Sequence, residues 1–214
     1  MSNAPPGAVV APGWRHQTLP NVKRANDFAL ESDDGQQVVK VTSSSAASSW
    51  LTVLDIDPSK MPVLRWRWKV SRSLPGSDLQ RKAGDDYAAR LYVMFDLPAE
   101  RLSPGDRLRL QAARLLSGAD VPAAALCYVW GFDQPVGSTG WNPYTDRVRM
   151  IVVDSGDVYA RQWREVSRNV ERDWSDAFGG AIPRINGLAI GADTDNTADT
   201  VTAWFGDLRF LKEP

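Results

Sequence analysis

Apolar and polar residues alternate with period two along most of the chain. The alternation is clearest at Leu64-Arg65-Trp66-Arg67-Trp68-Lys69-Val70, where Leu64, Trp66, Trp68 and Val70 share one face and Arg65, Arg67 and Lys69 the other. The same criterion predicts strands over 27–31, 37–42, 50–54, 63–70, 87–96, 125–131, 147–154, 163–166, 187–192 and 201–211. Asp33-Asp34-Gly35 reads as a hairpin turn in which Gly35 is free to take positive φ. So many short strands, parted by Gly, Pro and Ser clusters, predict an all-β protein built as an antiparallel two-sheet β-sandwich.

Two segments follow a helical spacing instead. Residues 106–116 place Leu108, Leu110, Leu115 and Leu116 for a helix, with Ser103-Pro104 as the start signal and Gly118 as the stop. Residues 170–179 read as a second short helix that ends in Gly179-Gly180. Both are expected in connections. No internal repeat or low-complexity linker divides the chain, so residues 14–212 are expected to form one domain behind a flexible N-terminal segment, 1–13.

Composition supports this picture. Of 214 residues, 43% are apolar and nine are Trp, enough for a core of single-sandwich size. A formal net charge of −1 gives no bulk electrostatic case for nucleic acid. No apolar run reaches the ~18 residues that span a bilayer, so a soluble domain without a membrane span is expected. Cys127 stands alone, which excludes an intramolecular disulfide; within Ala125-Leu126-Cys127-Tyr128-Val129-Trp130 it reads as a small buried strand residue. Ser2-Asn3-Ala4 resembles a cloning scar, and a native leader is expected to have preceded it. Nothing in the sequence bears on oligomeric state.

Catalytic inventories are thin. His16 is the one histidine and lies in a segment without strand periodicity, away from any nucleophile in sequence. No Cys/His spacing suits zinc, and no glycine-rich phosphate loop precedes a helix. Paired carboxylates from distant strands would leave no local signature. No catalytic residue is therefore assigned.

Binding chemistry is richer. If 87–95 is a strand, Tyr87, Ala89, Leu91, Val93 and Phe95 face the core, while Arg90 and Tyr92 project oppositely beside a loop bearing Lys82, Asp85 and Asp86. That is either a salt-bridged loop mouth or the edge of a polar groove. The cationic stripe Arg65, Arg67 and Lys69 is a solvated sheet face or the lining of an anion groove. Trp130, Trp141, Asn142, Tyr144 and Arg147 bracket a Gly/Pro-rich loop, where rings can stack on sugars while amide and guanidinium groups bond hydroxyls. Asp193-x-Asp195-Asn196 offers hard oxygen donors for a structural calcium ion, or for turn capping. Asp207 is a further candidate, placed to meet an early-strand carboxylate such as Glu31.

Taken in order, Lys82-Ala83-Gly84-Asp85-Asp86-Tyr87-Ala88-Ala89-Arg90, Cys127-Tyr128-Val129-Trp130-Gly131, Asn142-Pro143-Tyr144-Thr145-Asp146-Arg147, Arg168-Asn169-Val170 and Asp193-Thr194-Asp195-Asn196-Thr197 resemble the bacterial family DUF3047. The resemblance runs from about Trp14 to Phe210. It implies an exported protein, periplasmic or secreted, and it carries no assigned reaction. More loosely, Trp163-Arg164-Glu165-Val166, the helix to Phe178, Ile185-Asn186-Gly187-Leu188-Ala189-Ile190 and Trp204-Phe205-Gly206-Asp207-Leu208 resemble the closing order of galactose-binding-like jelly rolls and carbohydrate-binding modules. The expectation is a non-catalytic domain that binds a carbohydrate or cell-envelope glycan. Alternatives are a lyase or hydrolase using Asp85, Asp86, Arg90 or Tyr92, and a structural envelope protein with a protein partner.

Overall fold

A computed structural model describes residues 13–213 apart from 20–21, 34, 103, 106, 109–110 and 112–121. Among the described residues, twelve strands form two sheets: β1 (Trp14–Thr18), β2 (Asp27–Asp33), β3 (Gln36–Ser44), β4 (Ala47–Ile56), β5 (Val63–Val70), β6 (Arg90–Phe95), β7 (Ala124–Gly131), β8 (Thr139–Trp141), β9 (Val148–Ser155), β10 (Arg164–Asn169), β11 (Ile185–Asp193) and β12 (Thr200–Leu211). The seven-stranded sheet runs β1-β4-β11-β6-β7-β9-β8, and the five-stranded sheet runs β10-β5-β12-β3-β2. The sandwich is antiparallel except where β7 pairs with β9 in parallel, a departure from the all-antiparallel expectation. Parallel pairing needs a crossover, which β8 and its loops supply.

The core lies between the sheets. Leu64, Trp66, Trp68 and Val70 of β5 are fully buried, as alternation demands, against Leu91, Val93 and Phe95 of β6 and Tyr128 and Trp130 of β7. Every residue of β7 is buried, because this strand has cover on both faces. Its outward side chains Cys127 and Val129 join Leu79, Tyr87, Met150 and Val152 in a second apolar cluster, roofed by the 71–89 connection. Burial pushes the Cys127 thiol up to about 12, as fits an inert buried hydrophobe.

Three expectations need correction. Tyr87 does not share the core face with Leu91: β6 begins only at Arg90, so period two does not extend back to it, and Tyr87 lies in the second cluster instead. His16 is not in an irregular segment; its strand β1 closes an edge of the seven-stranded sheet by pairing with β4. Between 137 and 147, read as loop throughout, Thr139–Trp141 pairs with β9 as a short edge strand. A three-residue strand at an edge is set by its neighbour's backbone, not by its own side-chain period.

The α-helix described over its whole length is α1 (Val170–Phe178). The Asn169 side chain caps its start by accepting from the Arg172 N–H at 3.0 Å, and Gly179 ends it at a φ of 69°. Val170 and Trp174 bury its inner face. The other helix, expected over 106–116, falls for the most part outside the described residues, as does nearly all of the N-terminal segment 1–13.

Candidate functional site

The outward positions of β6 build a buried charged cluster. Arg90 is 1% exposed and reaches Asp85 at 3.0 Å and Asp193 at 2.7 Å through different nitrogens. Its Nη1 donates to the Tyr92 hydroxyl at 3.2 Å, and its guanidinium lies 4.8 Å from the Tyr87 ring centre. Asp85 and Asp86 come from the stretch that follows a single 3-10 turn, Lys82–Gly84. Gly84 is required there: a Cβ would stand 2.7 Å from both the Asp78 Cβ and the Gly76 carbonyl oxygen. Asp193 comes from the end of β11, over a hundred residues away, and its N–H donates to the Tyr87 carbonyl at 3.1 Å.

Asp86 plays a different part. Fully buried, it accepts from the Thr197 N–H and hydroxyl, each at 2.7 Å, and from the Asn196 amide at 3.0 Å, so it ties the loop after β11 to the 71–89 connection. Asp195 sits on that loop. Burial, then Asp86, raise its pKa above the ordinary carboxylate range. For Asp193 burial is the main cause, reinforced by Asp85, Asp86 and Asp195 and opposed by Arg90, and its pKa rises to about 7. The Arg90 guanidinium is held cationic: burial works against its charge, and Asp193 and Asp85 outweigh it.

The loop after β8 closes the cluster on the solvent side. The Asn142 amide donates to Asp85 at 2.9 Å, while its Oδ1 accepts from the Tyr144 N–H at 3.0 Å. Tyr144 is 59% exposed and stacks under the Lys82 ammonium, 5.1 Å from its ring centre. Seven of the ten expected ligand-binding residues are thus gathered in one cluster: Lys82, Asp85, Asp86, Arg90, Tyr92, Asn142 and Tyr144. Asp193 and Asp195, proposed from the sequence as calcium ligands, join them.

Five expected residues lie elsewhere, Trp141 among them. Trp130 is not on a ligand-facing loop; as the last inward residue of β7 it is fully buried, and its indole N–H donates to the Gly156 carbonyl at 3.0 Å. Arg147 is half-buried at the approach to β9, with its carbonyl accepting from the Ala125 N–H at 2.9 Å. Asp207 lies on the other sheet and pairs with Arg67 at 2.7 Å, so it does not meet Asp193 and Asp195. Glu31 pairs with Lys40 and takes the Trp204 indole N–H, not Asp207. Among the described residues, no group of three or more His, Cys, Asp or Glu side chains is arranged to hold a metal.

Trp141 leads to a groove that sequence reasoning missed. Its ring is 38% exposed, meets Phe178 edge-on at 5.4 Å and carries the Arg149 guanidinium 5.0 Å from its centre. Beside it, a cavity of about 160 Å³ opens between α1 and the β8–β9 edge, lined by Thr139, Arg149, Arg168, Asp173 and Asp176 among others. Asp173 is buried, accepts the Tyr128 hydroxyl at 2.7 Å and forms a two-point pair with Arg168. In the sequence Asp173 looks like an ordinary acidic residue in the first turn of a helix. Its spacing from Arg168 across the cap was the available signal.

Residues 12–209 match the family described as "Protein of unknown function (DUF3047)". The chain belongs to the DUF3047 family. No curated protein matches it. Among solved structures, this DUF3047 chain is similar to the xyloglucanase domain of NopAA, a type three effector from Sinorhizobium fredii, in complex with cellobiose, at 10% identity over all of both chains with a TM-score of 0.49. It is also similar to a family 30 carbohydrate-binding module from a cellulosomal cellulase of Clostridium thermocellum, at 11% identity over 91% of this chain and 86% of that one, with a TM-score of 0.39. A third is CBM28, a carbohydrate-binding module specific for non-crystalline cellulose, at 12% identity over 97% of each chain with a TM-score of 0.42. At these scores none of them assigns a function to the DUF3047 chain.

Proposed function

We propose that this chain is a glycan-binding β-sandwich domain whose binding edge is β8 and the turn that follows it. One observation carries the reading: Trp141 at the end of β8 and Tyr144 on the turn after it remain partly exposed on either side of Asn142, which is anchored to buried Asp85. Exposed rings on a fixed backbone offer sugar-stacking faces at small entropic cost. Each ring has polar partners beside it. Trp141 borders the groove with Arg149, Arg168, Asp173 and Asp176, and Tyr144 stands with Lys82 at the mouth of the Arg90 cluster. Mixed carboxylate, amide and guanidinium groups suit the alternating donors and acceptors of sugar hydroxyls. An exported location belongs to this reading through the family resemblance.

The test is a glycan-array screen with and without calcium, followed by affinity and melting measurements on Trp141→Ala and Tyr144→Ala. Each truncation is expected to weaken binding by roughly 1–3 kcal/mol, as for aromatic anchors in desolvated contacts. Unchanged affinity with a lowered melting temperature would make both rings structural and end the proposal. A second reading, a carbohydrate-active lyase or hydrolase, is favoured by the elevated Asp193 carboxyl beside Asp85. Turnover of an array-positive glycan that is lost in Asp193→Asn would support it.

A further inference from the structure

The opposite flank of the sandwich carries an apolar cavity of about 320 Å³ between the sheets. Trp14, Leu54, Ile56, Leu188, Leu208 and Phe210 line it. Its volume falls within the range of roughly 300–1,000 Å³ typical of small-molecule sites.

A break in strand pairing opens this cavity. β3 pairs with β12 only from Thr200 to Phe205, whereas β5 stays paired with β12 as far as Leu211. Along β5 the register slips between Gly206 and Arg209, so β12 holds one residue more than its partner. Asp207, inside this bulge, has a φ of 55°, a conformation uncommon for a residue other than glycine. The extra residue exchanges the two faces of the strand. Ala203 and Phe205 point inward before it, and Leu208 and Phe210 point inward after it. Arg209 is consequently delivered to the outside, exposed at the cavity rim.

The rim charges are unequal. Asp207 is committed to Arg67 at 2.7 Å, while no described residue forms an ion pair with Arg209. An apolar slot with a cation at its mouth is complementary to a tail with an anionic head. We infer that this cavity binds a single-chain amphiphile, its hydrocarbon tail between the sheets and its anionic head at Arg209. The site is independent of the glycan edge, being on the β1–β4 flank and not the β8 flank.

The probe is a series of straight-chain carboxylates, hexanoate to tetradecanoate, titrated into the full chain by calorimetry below their micellar concentrations, with the alcohol of equal length beside each. Affinity is expected to rise about fourfold per added methylene until the cavity is full, the fold-change that corresponds to ~0.8 kcal/mol for each one buried. Carboxylate should be preferred over alcohol, and Arg209→Gln should remove that preference while leaving the length dependence. Leu54→Trp, which fills the slot, should abolish the length dependence in a protein shown by circular dichroism to be folded. No binding at any length, binding independent of length, or binding that survives the filled slot would overturn the inference. Arg209 is exposed, so its variant tests the head-group assignment even if Leu54→Trp does not fold; an unchanged carboxylate preference there would overturn that assignment.

Discussion

Arg90 on β6 and the stripe Arg65, Arg67 and Lys69 on β5 occupy equivalent positions, each pointing outward from a strand whose inward residues are core. Their surroundings differ. Arg90 is 1% exposed beneath the 71–89 connection and shares its charge among Asp85, Asp193, the Tyr92 hydroxyl and the Tyr87 ring. On β5 each cation meets a single carboxylate: Arg65 with Glu165 at 3.5 Å, Arg67 with Asp207, Lys69 with Asp33. Trp163 and Trp204 lie across the stripe, with the Arg67 guanidinium 4.2 Å from the centre of one and the Lys69 ammonium 4.7 Å from the other. On β5 the outward cations form separate pairs, Arg67 and Lys69 part-buried and Arg65 exposed, whereas on β6 the outward cation is the hub of a buried network. What separates them is the 71–89 connection, which folds back over Arg90, whereas on β5 two Trp rings lie over Arg67 and Lys69 and Arg65 stays exposed.

The sharpest break of this comparison is Arg90→Met. Removing the hub leaves buried Asp85 and part-buried Asp193 without their cation, a loss expected to cost about 3–5 kcal/mol in urea unfolding. A loss below about 1 kcal/mol would mean that the cluster is hydrated like the exposed Arg65 pair.

A smaller effect should follow from pH. Asp193 has its pKa raised from 3.8 to about 7 in the folded chain, so between these values the folded state holds a proton that the unfolded state has lost. The stabilisation this provides is complete below pH ~4 and disappears as pH rises to about 7, with a slope of at most ~1.4 kcal/mol per pH unit for one proton. Asp193→Asn should flatten that part of the stability profile relative to the parent. Two parallel profiles would contradict the burial of this carboxyl.

The least effect is expected at Arg65. Its side chain is 40% exposed and that of its partner Glu165 is 65% exposed, so Arg65→Met should change stability by less than about 1 kcal/mol, and added salt should shrink even that. A loss as large as that at Arg90 would erase the distinction between the two faces.

Several features were legible in the residues themselves. Period two in β5 separated Trp66 and Trp68 from the cations, because a half-buried strand must alternate. The apolar run at 125–131 marked a strand with Cys127 as a buried residue, and the structure adds that this strand is covered on both faces. The helix from Val170 and its stop at Gly179 were local chemistry and could be read locally, whereas its cap at Asn169 was not picked out. The grouping of Lys82, Asp85, Asp86 and Arg90 was visible because these residues are close in sequence.

Only the tertiary structure decided the rest. Asp193 reaches Arg90 because β11 pairs with β6, and no local pattern specifies which distant strand becomes a neighbour. Trp130 and Trp141 look alike beside Gly-rich loops, yet one ends inside the core and the other beside α1, depending on where each strand stops. The bulge in β12 did leave a trace, since its apolar residues change phase between Phe205 and Leu208. That trace acquires a consequence only when β3 parts from β12 and the flank between the sheets opens. Alternation is dictated by one strand's own geometry, whereas pairing, register and cover are settled between strands far apart in the chain.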